Sequence, residues 1–227
     1  MITLEKGFVV AIDGPAGAGK STIAKLAAGK LDFAYIDTGA MYRAVTWKLL
    51  QTGKTFSAEL AGKLANEINI EFRPENAVNR VFVDGMEVTE AIRTAAVTGL
   101  VSKVAAVPDV RTAMVDQQRR MGNEGGIVMD GRDIGTVVFP DAELKVFVTA
   151  SPEVRAQRRF DELQAKGMPA DYEDILKNVQ ERDYIDSHRE ESPLRQAEDA
   201  LLLDNSNMTI PEQKAWLLER FHERVGA

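Results

Sequence analysis

Apolar runs of four or five residues alternate along the chain with stretches whose apolar positions recur at helical spacing. This rhythm predicts a parallel sheet with crossover helices. Phe8–Ile12, Phe33–Ile36, Gly126–Met129, Leu144–Val148 and Ala200–Leu203 read as the strands of that sheet, the first as a buried one. Helices are predicted over Ser21–Lys30, Ala40–Leu50, Pro108–Met121, Pro152–Lys166, Asp171–Ser187 and Pro211–Arg224. Pro108 and Pro152 suit first-turn positions. One stretch breaks the rhythm. Asn69–Arg73, Arg80–Asp84 and Met86–Thr89 alternate apolar and polar residues, as half-exposed antiparallel strands do, and Asp84-Gly85 is a hairpin-turn signal. The expectation is a small β-rich insert over residues 60–100, carried by a body formed from residues 1–59 and 101–227.

A length of 227 residues fits one domain, or one domain carrying such an insert. The net charge of -7 argues against a partner that is a nucleic-acid polymer, yet leaves room for a local basic pocket. There are no cysteines, which excludes a disulfide framework, a thiol nucleophile and a cysteine zinc site. Only His188 and His222 offer imidazole ligands. No apolar run approaches the length of a membrane span, and Met1–Lys6 lacks a signal-peptide core. The expectation is a cytoplasmic protein with no membrane partner.

The most informative chemistry lies in Gly14-Pro-Ala-Gly-Ala-Gly-Lys-Ser21, which matches G-x-x-x-x-G-K-[ST] between a predicted strand and a predicted helix. Gly14, Gly17 and Gly19 let the backbone turn with its N–H groups pointing inward. Those groups and the helix N-terminus favour an anion. Lys20 then reaches the β- and γ-phosphates of a nucleoside triphosphate, and Ser21 ligates Mg²⁺. Ile127–Asp130 is an apolar strand ending in a carboxylate, the arrangement that helps hold Mg²⁺ in such enzymes; a plain Asp-Gly turn is the bland alternative. Arg132 and Asp133 follow directly.

Ile36-Asp-Thr-Gly-Ala-Met-Tyr-Arg43 sits at another strand's carboxyl end, where open α/β sheets bind ligands. Thr38 reads either as a helix cap or as a site residue, and Arg43 as a phosphate contact or a surface ion pair. Arg155, Arg158 and Arg159 lie on one predicted helix, and Arg182, Asp186 and Arg189 on or near the end of the next, with Gly167–Asp171 as the loop between them. Arginines on a closing lid would offset the charge of a phosphoryl group in transfer. No His or Glu base for an alcohol acceptor stands out. A phosphate monoester needs none, because its second pKa is about 6 and its oxygen is already a nucleophile.

These segments, with Asp130-Gly-Arg-Asp-Ile-Gly-Thr-Val-Val-Phe-Pro140, Glu181-Arg-Asp-Tyr-Ile-Asp186 and Asp204-Asn-Ser206, make the chain resemble the bacterial cytidylate kinases of the nucleoside monophosphate kinase group. The resemblance spans essentially the whole chain. It implies an α/β P-loop fold with a five-stranded parallel sheet, a helical lid over about residues 155–190 and a nucleotide-binding insert. It further implies ATP as phosphoryl donor, Mg²⁺ as cofactor, CMP and dCMP as the small-molecule partners, and a monomer.

The implied donor site is Gly14, Pro15, Ala16, Gly17, Ala18, Gly19, Lys20, Ser21 and Thr22, with Ser21 and Asp130 toward the metal. Thr38 stands where the family commonly has serine; Thr38, Arg43 and Arg132 are implied near the acceptor phosphate and sugar. Ser102, Arg111 and Asp133 are implied at cytosine, Arg182 and Asp186 at the sugar hydroxyls and Arg189 at phosphate. Lys20, Arg132, Arg158, Arg159 and Arg189 are implied as the catalytic cations. Independently, a carboxylate can accept from the cytosine amino group while an arginine donates to its acceptors.

A kinase for another small acceptor, such as a different nucleoside monophosphate or shikimate, is the nearest rival. A GTP switch would need an Asn-Lys-x-Asp motif, which the chain lacks. A regulatory ATP-binding module would release no ADP.

Overall fold

The computed structural model describes residues 7–75 and 78–225, so Met1–Lys6 lie outside the described residues. Strand β1 (Val9–Asp13) leads through the glycine loop into α1 (Lys20–Leu31), β2 (Ala34–Asp37) and α2 (Thr38–Gln51). Helix α3 (Ala58–Glu67) precedes β3 (Ile70–Glu75), β4 (Val78–Val83) and β5 (Met86–Glu87). A 3₁₀ turn at Ala91–Arg93, α4 (Ala95–Ala105) and α5 (Pro108–Gly122) return the chain to β6 (Ile127–Gly131). A wide turn of π-helix at Ile134–Val138 leads to β7 (Leu144–Thr149), α6 (Pro152–Ala165), α7 (Tyr172–His188), β8 (Leu201–Asp204) and α8 (Ile210–Val225).

The five apolar runs form one parallel sheet in the order β2-β6-β1-β7-β8. Every residue of β1 is buried, which explains why its sequence does not alternate. Val10 and Ile12 pack with Ile23, Leu217 and Phe221 on one face. Val9 and Ala11 pack with Met41, Val45 and Met114 on the other. The carboxyl ends of β1, β2 and β6 therefore open together at one edge, and the loops that follow them build the site.

The segment expected as a small β-rich insert holds its strands between two helices. Strands β3, β4 and β5 form a three-stranded antiparallel sheet, but residues 58–67 and 95–105 are helices. Both helices carry local start signals. Ser57 Oγ accepts from Leu60 N at 3.2 Å, and Thr94 Oγ1 accepts from Val97 N at 3.4 Å. Ala61, Leu64 and Ala65, and likewise Val97, Val101 and Val104, are then buried at helical spacing. The hairpin signal holds: Asp84 and Gly85 have φ of 51° and 81°, the paired left-handed conformations that a tight two-residue turn requires.

Candidate active site

Gly14 has φ 146°, and a Cβ there would stand 2.0 Å from the Val148 carbonyl oxygen, so only glycine lets the loop leave β1 beside β7. Gly19, with φ 85°, caps α1 and directs its first N–H groups back into the loop. Asn205 closes the loop from outside: its side-chain amide donates to the Ala18 carbonyl at 2.7 Å. Arg155 braces it from the lid. Its Nη1 donates to the Ala16 carbonyl at 3.0 Å, while both Nη atoms hold Asp183 of α7 at 2.9 and 2.5 Å. Two lid helices and the phosphate loop are thereby one bonded unit.

Lys20 and Ser21 open α1 at the base of a cleft of about 250 Å³. Lys20 Nζ donates to the Pro15 carbonyl at 2.7 Å. Burial first, then the neighbouring Arg132, pushes its ammonium down to about 7, so an anion placed beside it would restore the charge. Ser21 Oγ donates to Asp130 Oδ2 at 3.0 Å, and the Tyr35 hydroxyl donates to Asp130 Oδ1 at 2.6 Å. Burial, and then the nearby Asp37, pushes the Asp130 carboxyl up to about 6 against those two hydrogen bonds. A hydroxyl and a carboxylate are hard oxygen donors of the kind Mg²⁺ takes when it keeps waters and adds phosphate oxygens. Among the described residues no cluster of three or more acidic, His or Cys side chains could form an all-protein metal cage. The donor set thus fits a metal that arrives with a phosphorylated ligand.

The far wall is cationic. Seven cations and four carboxylates line the cleft, a local positive excess in a chain of net charge -7. Arg132 Nε donates to Asp186 Oδ2 at 2.8 Å. Asp133 is buried and accepts from Arg111 Nη2, and Arg189 Nη2 stands 3.9 Å from its other oxygen. The Arg111 guanidinium also lies 5.4 Å from the centre of the Tyr42 ring. Three buried arginine nitrogens, on Arg111, Arg182 and Arg189, find no hydrogen-bond partner among the described residues. Burial and the adjacent Arg132 and Arg43 push the Arg182 guanidinium down to about 10. A wall that crowds cations and leaves donors unspent is built for an anion.

The structure gathers most of the residues singled out in the sequence. Ala16, Gly17, Lys20 and Ser21 line the cleft at its glycine-loop end. Thr38, Arg43, Ser102, Arg111 and Asp130 line the same cleft, as do Arg132, Asp133, Arg182, Asp186 and Arg189. Several readings change. Thr38 is not the cap of α2: Asp37 is, accepting from Ala40 N at 3.0 Å, and Thr38 Oγ1 instead donates to the Asp130 carbonyl at 2.8 Å. Among the described residues Arg43 makes no surface ion pair; it donates to Thr98 Oγ1 at 3.0 Å and to the Ile92 carbonyl at 3.4 Å.

Asp186 of α7 is buried and pairs with the half-buried Arg132 just after β6. Helix α7 ends at His188, yet Arg189, its C-cap, still turns into the cleft. Arg158 and Arg159 do not line the cleft. Arg158 binds Asn205 at 3.0 and 2.8 Å, and the exposed Arg159 pairs with Glu162 at 2.7 Å. Asp37, Tyr42 and Arg93 line the cleft without having been singled out. Asp37 and Tyr42 lie inside the Asp-Thr-Gly-Ala-Met-Tyr-Arg segment, whereas Arg93 carried no local signal.

The family model described as cytidylate kinase matches residues 10–223. A cytidylate kinase of Parabacteroides distasonis is 57% identical, over 98% of this chain and 100% of its own length. One from Geobacillus thermodenitrificans is 49% identical over 98% and 100%. Among solved structures, shikimate kinase from Bacteroides thetaiotaomicron aligns with a TM-score of 0.51 at 12% identity, covering 97% of this chain and 99% of its own. At that identity the likeness concerns the fold alone.

Proposed function

The chain belongs to the cytidylate kinase family, and from that premise we propose how its cleft works. The protein transfers the γ-phosphoryl group of ATP to CMP or dCMP, giving ADP and CDP or dCDP. The observation that carries the substrate reading is the buried Asp133–Arg111 pair, which lines the same cleft as the glycine loop and Ser102. A carboxylate beside a guanidinium offers an acceptor next to a donor, the complement of the cytosine amino group and its ring acceptors.

In this reading the backbone from Gly14 to Thr22 and Lys20 bind the donor phosphates. Ser21 and Asp130 would hold Mg²⁺, which would supply neutralisation of the donor's phosphate charge when bound. Thr38, Arg43 and Arg132 receive the acceptor phosphate, Arg182 and Asp186 the sugar hydroxyls, and Arg189 the phosphoryl group in transfer. Arg158 and Arg159 would reach the nucleotide only by releasing Asn205 and Glu162. Catalysis then consists of positioning and charge stabilisation, with no proton relay. Every residue in this scheme comes from one chain, so a monomer suffices. Among the described residues no helix is long and apolar enough to cross a membrane.

An acceptor screen with ATP-Mg²⁺ tests the function: CMP and dCMP should be turned over in preference to UMP, AMP, GMP, dTMP and shikimate. Preference for any of the others would overturn it.

The sugar assignment predicts a finer split. Asp186→Ala should raise KM for CMP more than for dCMP, which lacks one hydroxyl. Because Asp186 also holds Arg132, a loss of kcat common to both acceptors is expected as well. Identical KM changes for the two acceptors would leave Asp186 only as the counter-ion of Arg132.

A further inference from the structure

We propose that Tyr35 is a positioning residue for the metal-site carboxylate, its hydroxyl fixing the plane of Asp130 so that one oxygen faces Ser21 and the cleft. The inference rests on the reading of Ser21 and Asp130 as the Mg²⁺ site. Its basis is geometric. In the parallel pairing of β2 with β6, Tyr35 stands opposite Val128 and Asp37 opposite Asp130. Side chains two residues apart on a strand share a face, so Tyr35 and Asp130 lie on the same side of the sheet. Tyr35 and Val128 both pack in the apolar cluster formed with α1, whose first turn carries Ser21.

The phenol is long enough to span that offset. It donates to Oδ1 at 2.6 Å, while Ser21 donates to Oδ2 at 3.0 Å. The terminal torsion of an aspartate is broad, so one donor leaves the carboxylate plane free to turn. Donors on both oxygens define that plane. A serine hydroxyl has lone pairs to give a metal while its hydrogen stays on Asp130. Tyr35 can then hold the opposite oxygen without competing for the metal.

Tyr35 is itself held. Its carbonyl accepts from Asn79 Nδ2 at 2.6 Å, and Lys25 Nζ stands 5.7 Å from the centre of its ring. The Asn79 bond also joins β4 of the antiparallel sheet to the edge strand that carries this tyrosine.

Tyr35→Phe keeps the ring and removes only the donor. Calorimetric titration with ADP, once with Mg²⁺ and once with EDTA, reads the metal-dependent part of binding without turnover. Partners that orient a metal ligand are typically worth at least about tenfold in metal affinity. The gain in ADP affinity on adding Mg²⁺ should therefore fall by about tenfold in Tyr35→Phe, with ADP affinity in EDTA and KM for CMP unchanged. The same gain as wild type, or equal losses with and without Mg²⁺, would overturn the inference. Asp130→Asn in the same titration separates the two levels. If it leaves the Mg²⁺ gain intact, the metal-site reading itself fails and the role of Tyr35 with it. If it abolishes the gain while Tyr35→Phe does not, only the role of Tyr35 fails. Thermal melting of both variants checks that they are folded.

Discussion

Lys20→Ala is expected to lower kcat by about 10²–10³-fold, the usual loss when one preorganised donor to a developing oxyanion is removed from a closed site. The position of the side chain supports a figure at the upper end. Lys20 is buried at the start of α1, and its Nζ rests on the carbonyl of Pro15, within the loop assigned to the donor phosphates. Burial has already removed its water, so its attraction to a phosphate oxygen is not diluted by solvent. A lysine pushed down to about 7 gains charge when an anion binds, which strengthens its bond as negative charge grows in transfer. KM for CMP should move much less than kcat, because Ser102, Arg111 and Asp133, the residues proposed for the acceptor base, stay intact. Single-turnover measurements with saturating ATP would separate the two. Near-normal turnover in a folded variant would remove Lys20 from the chemistry and the phosphate-loop assignment with it.

Asp133→Asn is expected to act twice. First, it should narrow the preference for CMP over UMP, since the new amide can donate to the uracil carbonyl while the carboxylate would repel it. Each lost pairing with cytosine should cost about 1–3 kcal/mol of discrimination. Second, stability should fall. Asp133 is the buried counter-ion of Arg111 and stands 3.9 Å from Arg189. Removing one member of a buried pair leaves an uncompensated charge, typically at a cost of about 3–5 kcal/mol. The asparagine keeps a hydrogen-bond acceptor for Arg111, so the lower end of that range is expected. Acceptor kinetics with CMP and UMP read the first effect, and a melting curve the second. Lower stability with an unchanged CMP to UMP ratio would make Asp133 a structural counter-ion and move base reading elsewhere, with Arg111 and Ser102 the next residues to vary.

The same residue illustrates where reading a sequence stops. Asp133 and Arg111 lie 22 positions apart, and nothing local to either indicates that they touch. Their pairing follows from α5 packing beneath the turn after β6, which is a property of the whole fold. Arg132 with Asp186 is a similar case, separated by 54 positions. Sequence spacing placed Arg182 and Asp186 on one predicted helix and gave Asp186 no partner outside it. Spacing along a helix ranks neighbours within that helix and is silent about a partner arriving from a sheet loop. Arg93 stayed unnoticed for the same reason: a lone arginine in a turn carries no signal until the fold brings it to the cleft.

What the sequence determined by itself is local or periodic. Short apolar runs marked the strands, and all five appear within about two residues of their expected bounds, the normal uncertainty for such boundaries. Only β1 and β6 are buried throughout, and the edge strands β2 and β8 are partly exposed. The glycines of the phosphate loop and the Asp84-Gly85 turn were legible because a left-handed backbone demands particular residues wherever it occurs. Helices α3 and α4 were legible too, through the Ser57 and Thr94 caps, but the alternating strands between them dominated the pattern. Only the tertiary structure decided which charges neutralise one another. Asp133 pairs with Arg111 and Asp186 with Arg132, Arg158 turns to Asn205, and Tyr35 on β2 reaches Asp130 on the neighbouring β6. Each of these depends on distances between elements, and those are set by how the sheet and its helices pack rather than by any neighbour in the chain.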